Sequence, residues 1–191
     1  LQALRREIDH GNRLALLEEN AAICRDGADR AARIVKDLRT YARPSSAGRQ
    51  LTDIHTSIDQ SLRLLQGECK GRVTVHREYG AVPLVECDAG QISQVFLNLL
   101  ANAIQSIDGA GQVFVRTRCD NAAVAIEIED TGQGMDETVA SRVFDPFFTT
   151  KDVGKGTGLG LSIVRSLITA HGGDIQVRSA LGRGSVFTVI L

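Results

Sequence analysis

An excess of charge of either sign is missing from this 191-residue chain: 22 Lys+Arg stand against 23 Asp+Glu, a formal net charge of −1. A nucleic-acid grip made of bulk positive charge is therefore not expected. The chain also lacks an apolar run free of polar residues. Its longest uncharged stretch, Ala89 to Ile107, is 19 residues and long enough for a bilayer, but it carries Gln91, Ser93, Gln94, Asn98, Asn102, Gln105 and Ser106. That argues against a membrane span or membrane contact in this segment. No charged-then-apolar leader opens the chain, so no signal peptide is expected and a cytoplasmic setting is, within a parent protein that could itself be membrane-anchored. Cys24, Cys69, Cys87 and Cys119 form neither a CxxC pair nor a compact disulfide framework and are expected as free, mostly buried thiols. Neither familiar glycine loop for phosphates occurs. There is no GxxxxGK[ST], and Leu159, Leu161 and Ile163 stand where a GxGxxG would need its third glycine. P-loop and Rossmann sites are thereby excluded.

At 43% hydrophobic and 24% charged residues, the chain has a globular composition, and intrinsic disorder is excluded. Its length suits one domain of about 100 to 200 residues with an appendage. From Leu17, small or apolar residues recur at spacings of four and three through Ala21, Cys24, Ala28, Ala31, Val35, Leu38 and Ala42. This heptad seam predicts a helix of roughly thirty residues, about 45 Å long, that must pack on a partner helix. Pro44 ends it. Leu1 to Asp9 reads as the tail of an earlier helix broken at His10-Gly11-Asn12, and Pro44 to Gly48 as a linker. The expected domains are 1–47, helical, and 48–191. In the latter, helices are expected at Asp53 to Gln66 with Thr52 or Asp53 capping, at Gln91 to Ile107 and at Leu159 to Ala170. Strands are expected at Val73 to Val75, Val113 to Arg118, Ala123 to Glu129, Asp174 to Ser179 and Val186 to Leu191. Antiparallel strand pairs with a few covering helices give an α/β sandwich.

Three segments carry chemistry. Asn98 and Asn102 are four apart and share one helix face amid apolar neighbours. Asn is a poor helix former, and an unpaired buried carboxamide costs about 1 to 3 kcal/mol. Two readings stay open: side-chain oxygens for Mg²⁺, a hard ion needing few protein ligands when phosphates supply the rest, or hydrogen bonds tying the helix to a loop. Asp130-Thr131-Gly132-Gln133-Gly134-Met135 follows a strand. A carboxylate there can accept from an exocyclic amine such as adenine N6, and Gly132 and Gly134 let backbone approach a flat ring; an ordinary turn is the alternative. Third, Phe144-Asp145-Pro146-Phe147-Phe148-Thr149-Thr150-Lys151 precedes a glycine ladder at 154, 156, 158 and 160 that opens a helix, within the stretch from Gly132 to Gly184, under a third of the chain, where 10 of the 19 glycines cluster. Backbone N–H groups and a helix start make an anion site, to which Lys151 and Lys155 add charge. The phenylalanines are expected to serve in part as core.

In order and spacing these segments resemble the ATP-binding catalytic domain of sensor histidine kinases, in the GHKL ATPase superfamily. Gln94 to Ala103 is similar to its N box, Asp130 to Gly134 to its G1 box, Phe144 to Lys151 to its F box and Gly156 to Leu161 to its G2 box. The resemblance continues through His171-Gly172-Gly173 and Gly182 to Phe187. Gly27 to Leu38 resembles the second helix of the dimerisation and phosphoacceptor hairpin, in its nitrogen-regulator-like form.

The resemblance implies an α+β fold: a Bergerat-type α/β sandwich, its mixed sheet covered by helices, preceded by the long helix of a dimeric hairpin. It implies an ATP- and Mg²⁺-dependent protein-histidine kinase that feeds a response-regulator receiver domain and forms a homodimer through the hairpin. Asn102 with Asn98 would hold Mg²⁺, Asp130 would bind adenine in a pocket shaped by Gly132 and Gly134, and Lys151, Lys155, Gly156, Thr157 and Gly158, leading into Leu159 and Gly160, would close over the phosphates. Arg142 and Lys151 are candidates for the γ-phosphate. A GHKL serine kinase or ATPase, or a degenerate ATP-binding regulator, is the rival. One departure stands out: none of His10, His55, His76 and His171 has the family's His-Glu/Asp acceptor context. The acceptor is therefore expected upstream of the chain, and the piece is expected to bind ATP without phosphorylating itself.

Overall fold

The computed structural model describes residues 16–17, 19–25, 27–28, 31–32, 48–120, 123–151 and 156–191. The chain divides into two compact units, Leu1–Ala42 with Thr149–Thr157, and Arg43–Phe148 with Gly158–Leu191. In the first, the described residues between 16 and 32 are α-helical and exposed, among them Leu17, Ala21, Cys24, Ala28 and Ala31 of the seam. The rest of that expected helix, its stop at Pro44, the tail from Leu1 to Asp9 with its break, and the linker as far as Ala47 lie outside the described residues.

The second unit is built from β1 (Gln50–Thr52), α1 (Ile54–Leu64), α2 (Gln66–Cys69), β2 (Val73–Tyr79), β3 (Val85–Cys87), α3 (Ala89–Gln105), β4 (Gly111–Asp120), β5 (Ala123–Asp130), α4 (Glu137–Ala140), α5 (Gly160–Ala170), β6 (Asp174–Ser179) and β7 (Ser185–Ile190). A five-stranded sheet runs in the order β2-β4-β5-β7-β6, and β1 pairs with β3 in a separate two-stranded sheet. Alternation explains the faces. Val113 and Val115 of β4, Ile126 and Ile128 of β5, and Phe187 and Val189 of β7 are buried at every second position. The helical period gives the covering layer: Ile54, Ile58 and Leu62 on α1; Ile92, Val95, Phe96, Leu99 and Leu100 on α3; Ile163, Val164, Leu167 and Ile168 on α5.

Two expectations are corrected and one is narrowed. The strand pairs are not all antiparallel: β2 lies parallel to β4, from Val73 beside Gly111 to Tyr79 beside Thr117, because the chain between them crosses over through β3 and α3 rather than turning back. Of the cysteines, all free, only Cys87 is buried; Cys24 and Cys119 are exposed. Cys119 shares the inner side of β4 but stands two residues past Thr117, the last buried position there. Of the two expected caps of α1, Asp53 is the one used, its carboxylate accepting from the His55 N–H.

Candidate functional site

Helix α3 is the spine of the site. Asp88 begins it, its carboxylate accepting from the Gln91 N–H at 3.0 Å, and Ser106 closes it. Gln94, Asn98, Asn102 and Ser106 recur every four residues, so they line one stripe of α3. The Gln94 carboxamide donates to Asn98 Oδ1 at 3.2 Å. Asn98 Nδ2 in turn donates to the Gly160 carbonyl at 3.3 Å, tying α3 to the first residue of α5. Ser106 Oγ sits 2.8 Å from the Ala103 carbonyl and 2.9 Å from Asp130 Oδ1. Asn102, half-buried in the middle of the stripe, makes no side-chain hydrogen bond among the described residues. Asn98 thus ties helix to loop through its Nδ2, and Asn102 makes no such tie among the described residues.

Asp130 ends β5 with only 2% of its surface exposed. Its Oδ1 accepts the Gly132 N–H at 2.8 Å as well as the Ser106 hydroxyl. Burial pushes its carboxyl above the ordinary carboxylate range, while the N–H groups of Gly132 and Ser185 and the Ser106 hydroxyl pull it back. The loop that follows is clamped from two sides. Gln133 N–H donates to the Ser106 carbonyl at 3.0 Å, and Gln133 accepts from the Gly182 N–H at 2.7 Å. A Cβ on Gly132 would stand 2.1 Å from Ser106 Oγ, and one on Gly134, whose φ is +66°, 2.0 Å from the Ala180 carbonyl oxygen. These two glycines are needed where backbone meets backbone, between the end of α3 and the β6–β7 turn.

Helix α5 begins at Gly160 after Leu159 with no side-chain hydrogen bond capping it, and its start lies beside Asn98. The Phe147 N–H donates to the Gly158 carbonyl at 2.9 Å. Phe144 packs edge-on against Phe187, whereas Phe147 is 66% exposed, so the expected core role holds for only part of the cluster. Arg142 lies over the Phe148 ring and 3.5 Å from the Asp145 carboxylate. In the other unit, the Lys151 N–H donates to Thr149 Oγ1, and a Cβ on Gly156 would meet that same hydroxyl at 2.6 Å. Thr157 is half-exposed. Lys155 lies outside the described residues.

Ser106 is the functional residue that sequence reasoning passed over, although its signal was there: it continues the spacing of four set by Asn98 and Asn102. Hydrogen bonds to a charged group contribute about 1.5 to 3 kcal/mol. Ser106→Ala is therefore expected to weaken nucleotide binding about tenfold by loosening Asp130; calorimetric titration with ATP checks this, and wild-type affinity would remove Ser106 from the site.

Residues 87–191 match the family of histidine kinase-, DNA gyrase B- and HSP90-like ATPases. The sensor histidine kinase ZraS of Escherichia coli (strain K12) is 37% identical over 166 residues, covering 86% of this chain and 35% of that protein. Sensor kinase CckA of Brucella abortus is 36% identical over 184 residues, covering 87% of the chain and 19% of the relative. The chain thus spans about a third or less of the curated relatives it matches. Among solved structures, full-length ShkA in complex with AMPPNP superposes with a TM-score of 0.74 at 28% identity over 87% of this chain and 36% of that one. The catalytic domain of histidine kinase ThkA superposes with a TM-score of 0.68 at 29% identity over 75% of this chain and 94% of that one. Among the described residues, no helix is long and apolar enough to cross a membrane.

Proposed function

Because the chain belongs to the histidine kinase-, DNA gyrase B- and HSP90-like ATPases, we propose that it is the ATP-binding core of a two-component sensor kinase. It binds Mg²⁺-ATP along α3 and passes the γ-phosphate to a histidine of the sensor's dimerisation helices, for relay to a response-regulator receiver domain. Residues 48–191 form the catalytic domain, and residues 1–47 belong to the helical part through which two copies pair.

The observation that carries this reading is the α3 stripe. Asn98 is bound to the start of α5 and Ser106 to the buried Asp130, and between them the Asn102 carboxamide has no protein partner among the described residues. From Asn98 to Ser106 is about 12 Å along the helix, the scale of one nucleoside triphosphate. Asp130 accepts the adenine amino group at one end. Midway along the stripe, Asn102 offers a hard carboxamide oxygen suited to Mg²⁺, with Asn98 Oδ1 at the other end as a second ligand beyond its bond from Gln94. No cluster of three His, Cys, Asp or Glu side chains suited to a metal occurs among the described residues, which fits an ion shared with phosphates. When bound, Mg²⁺ supplies charge neutralisation on the phosphates. Gly158, Leu159 and Gly160 are assigned to the phosphate end on the family resemblance. Lys151, Lys155, Gly156 and Thr157 are assigned to the phosphates on the family resemblance, as is Arg142 to the γ-phosphate.

Two of the three described histidines are committed elsewhere: His55 Nε2 is bonded to Thr117 Oγ1 at 2.8 Å, and both ring nitrogens of His171 are engaged. His76 Nε2 is buried, away from any incoming phosphate. None is offered as the phosphoacceptor. Calorimetry should give ATP binding at least tenfold tighter than GTP binding. Labelled ATP, with the chain joined to dimerisation helices bearing a histidine followed by an acid, should give acid-labile phosphohistidine on those helices alone. Equal binding of the two nucleotides, or label confined to a histidine of this chain, would reject the assignment.

A further inference from the structure

Helices α3 and α5 run antiparallel and are clasped at both ends. At one end Asn98 Nδ2 holds the Gly160 carbonyl. At the other, ten residues back along α3 and eleven on along α5, His171 Nε2 lies 3.1 Å from the backbone nitrogen of Asp88. His171 Nδ1 is 2.8 Å from the Leu167 carbonyl. An N–H and a carbonyl allow one arrangement only: Nδ1 carries the proton and donates to Leu167, and Nε2 is bare and accepts from Asp88. Asp88 is the N-cap of α3, so its N–H is one of the donors that the helix leaves unpaired. Asp88-Ala89-Gly90-Gln91 has the spacing of a capping box, in which the glutamine would reach back to that N–H. Here the imidazole, 83 residues away in sequence, takes that place.

We propose that His171 is a positioning residue for the nucleotide site. Resting on the function proposed above, the neutral Nδ1-protonated imidazole fixes the register of α5 along α3, and so sets where the α5 start and its Gly160 carbonyl stand relative to Asn98 and Asn102. Beside this clasp the Asp88 carboxylate caps α3, and the Arg49 guanidinium donates to the Ala170 carbonyl at 2.7 Å.

Nitrogen-15 spectra of the wild-type chain without nucleotide should show His171 as the Nδ1–H tautomer; the commoner Nε2–H form would overturn the proposal. His171→Ala should weaken ATP binding about tenfold while the chain remains folded by circular dichroism. His171→Gln, whose carboxamide can accept from Asp88 and donate to Leu167, should bind within about twofold of wild type. Wild-type affinity in His171→Ala, or an affinity of His171→Gln as low as that of His171→Ala, would reject the positioning role. A wild type that binds no ATP, with the tautomer as expected, would instead reject the functional reading and leave the clasp standing.

Discussion

Asp130→Asn is expected to cost about 100-fold in ATP affinity, about 2.7 kcal/mol, while leaving the fold as stable as before. The two effects separate because the carboxylate is costly to the fold. Its oxygens are buried and its carboxyl is held above the ordinary range by desolvation. A carboxyl raised on folding binds its proton more tightly in the native state. Stability is therefore lost as the pH climbs from the ordinary value, near 4, through the raised one. Asparagine does not ionise and escapes that loss at neutral pH. Its one acceptor oxygen, however, is claimed by the Gly132 N–H, which now bonds Oδ1 at 2.8 Å. The amide NH₂ must then face the ligand, donor against the adenine amine, and a buried polar mismatch of this kind discriminates strongly. The same change should favour a purine with a carbonyl at that position. Inosine triphosphate is thus expected to gain on ATP in Asp130→Asn, read by competitive titration, with urea melts at pH 5 and pH 8 to follow stability. Unchanged preference for ATP would place adenine elsewhere.

Asn102→Ala is expected to lower phosphoryl transfer by about 100- to 1,000-fold, the range seen when a single charge-stabilising group is removed from a site of this kind, and to abolish the Mg²⁺ dependence of ATP binding. It should not unfold the protein. The Asn102 side chain has no hydrogen bond among the described residues to lose, and alanine is the better helix former by about 0.5 kcal/mol. Asn102→Asp keeps an oxygen ligand and should retain metal dependence, which separates ligation from bulk. Asn98→Ala makes the contrast. It breaks the bonds to Gln94 and to the Gly160 carbonyl, so it should lower thermal stability and nucleotide affinity together. A metal-dependent, wild-type titration of Asn102→Ala would refute the ligand role.

What was legible in the sequence is what short-range geometry encodes. A spacing of four is a face of a helix, so Asn98 and Asn102 were paired before any fold was known, and Ser106 could have been added by the same count. Alternation marked β4, β5 and β7, and the glycine ladder marked the start of α5. The strands β1 and β3, three residues each, carry too few positions for a period to show. β2 was read at Val73 to Val75 but runs to Tyr79, because His76, Arg77 and Glu78 break the apolar alternation while their backbone still pairs with β4.

The sequence by itself determined the layers and the stripe, because the direction of a side chain from a helix or strand follows from φ and ψ of its own few residues. Tertiary structure alone decided which distant groups meet. Ser106 reaches Asp130 across 24 residues and His171 reaches Asp88 across 83, and β2 lies parallel to β4. Gly134 is needed against the Ala180 carbonyl. Each of these contacts is worth only about 1 to 3 kcal/mol on its own. They form where the packing of α1, α3 and α5 on the sheet has already brought the partners together, and that packing is a property of the whole core rather than of any local spacing.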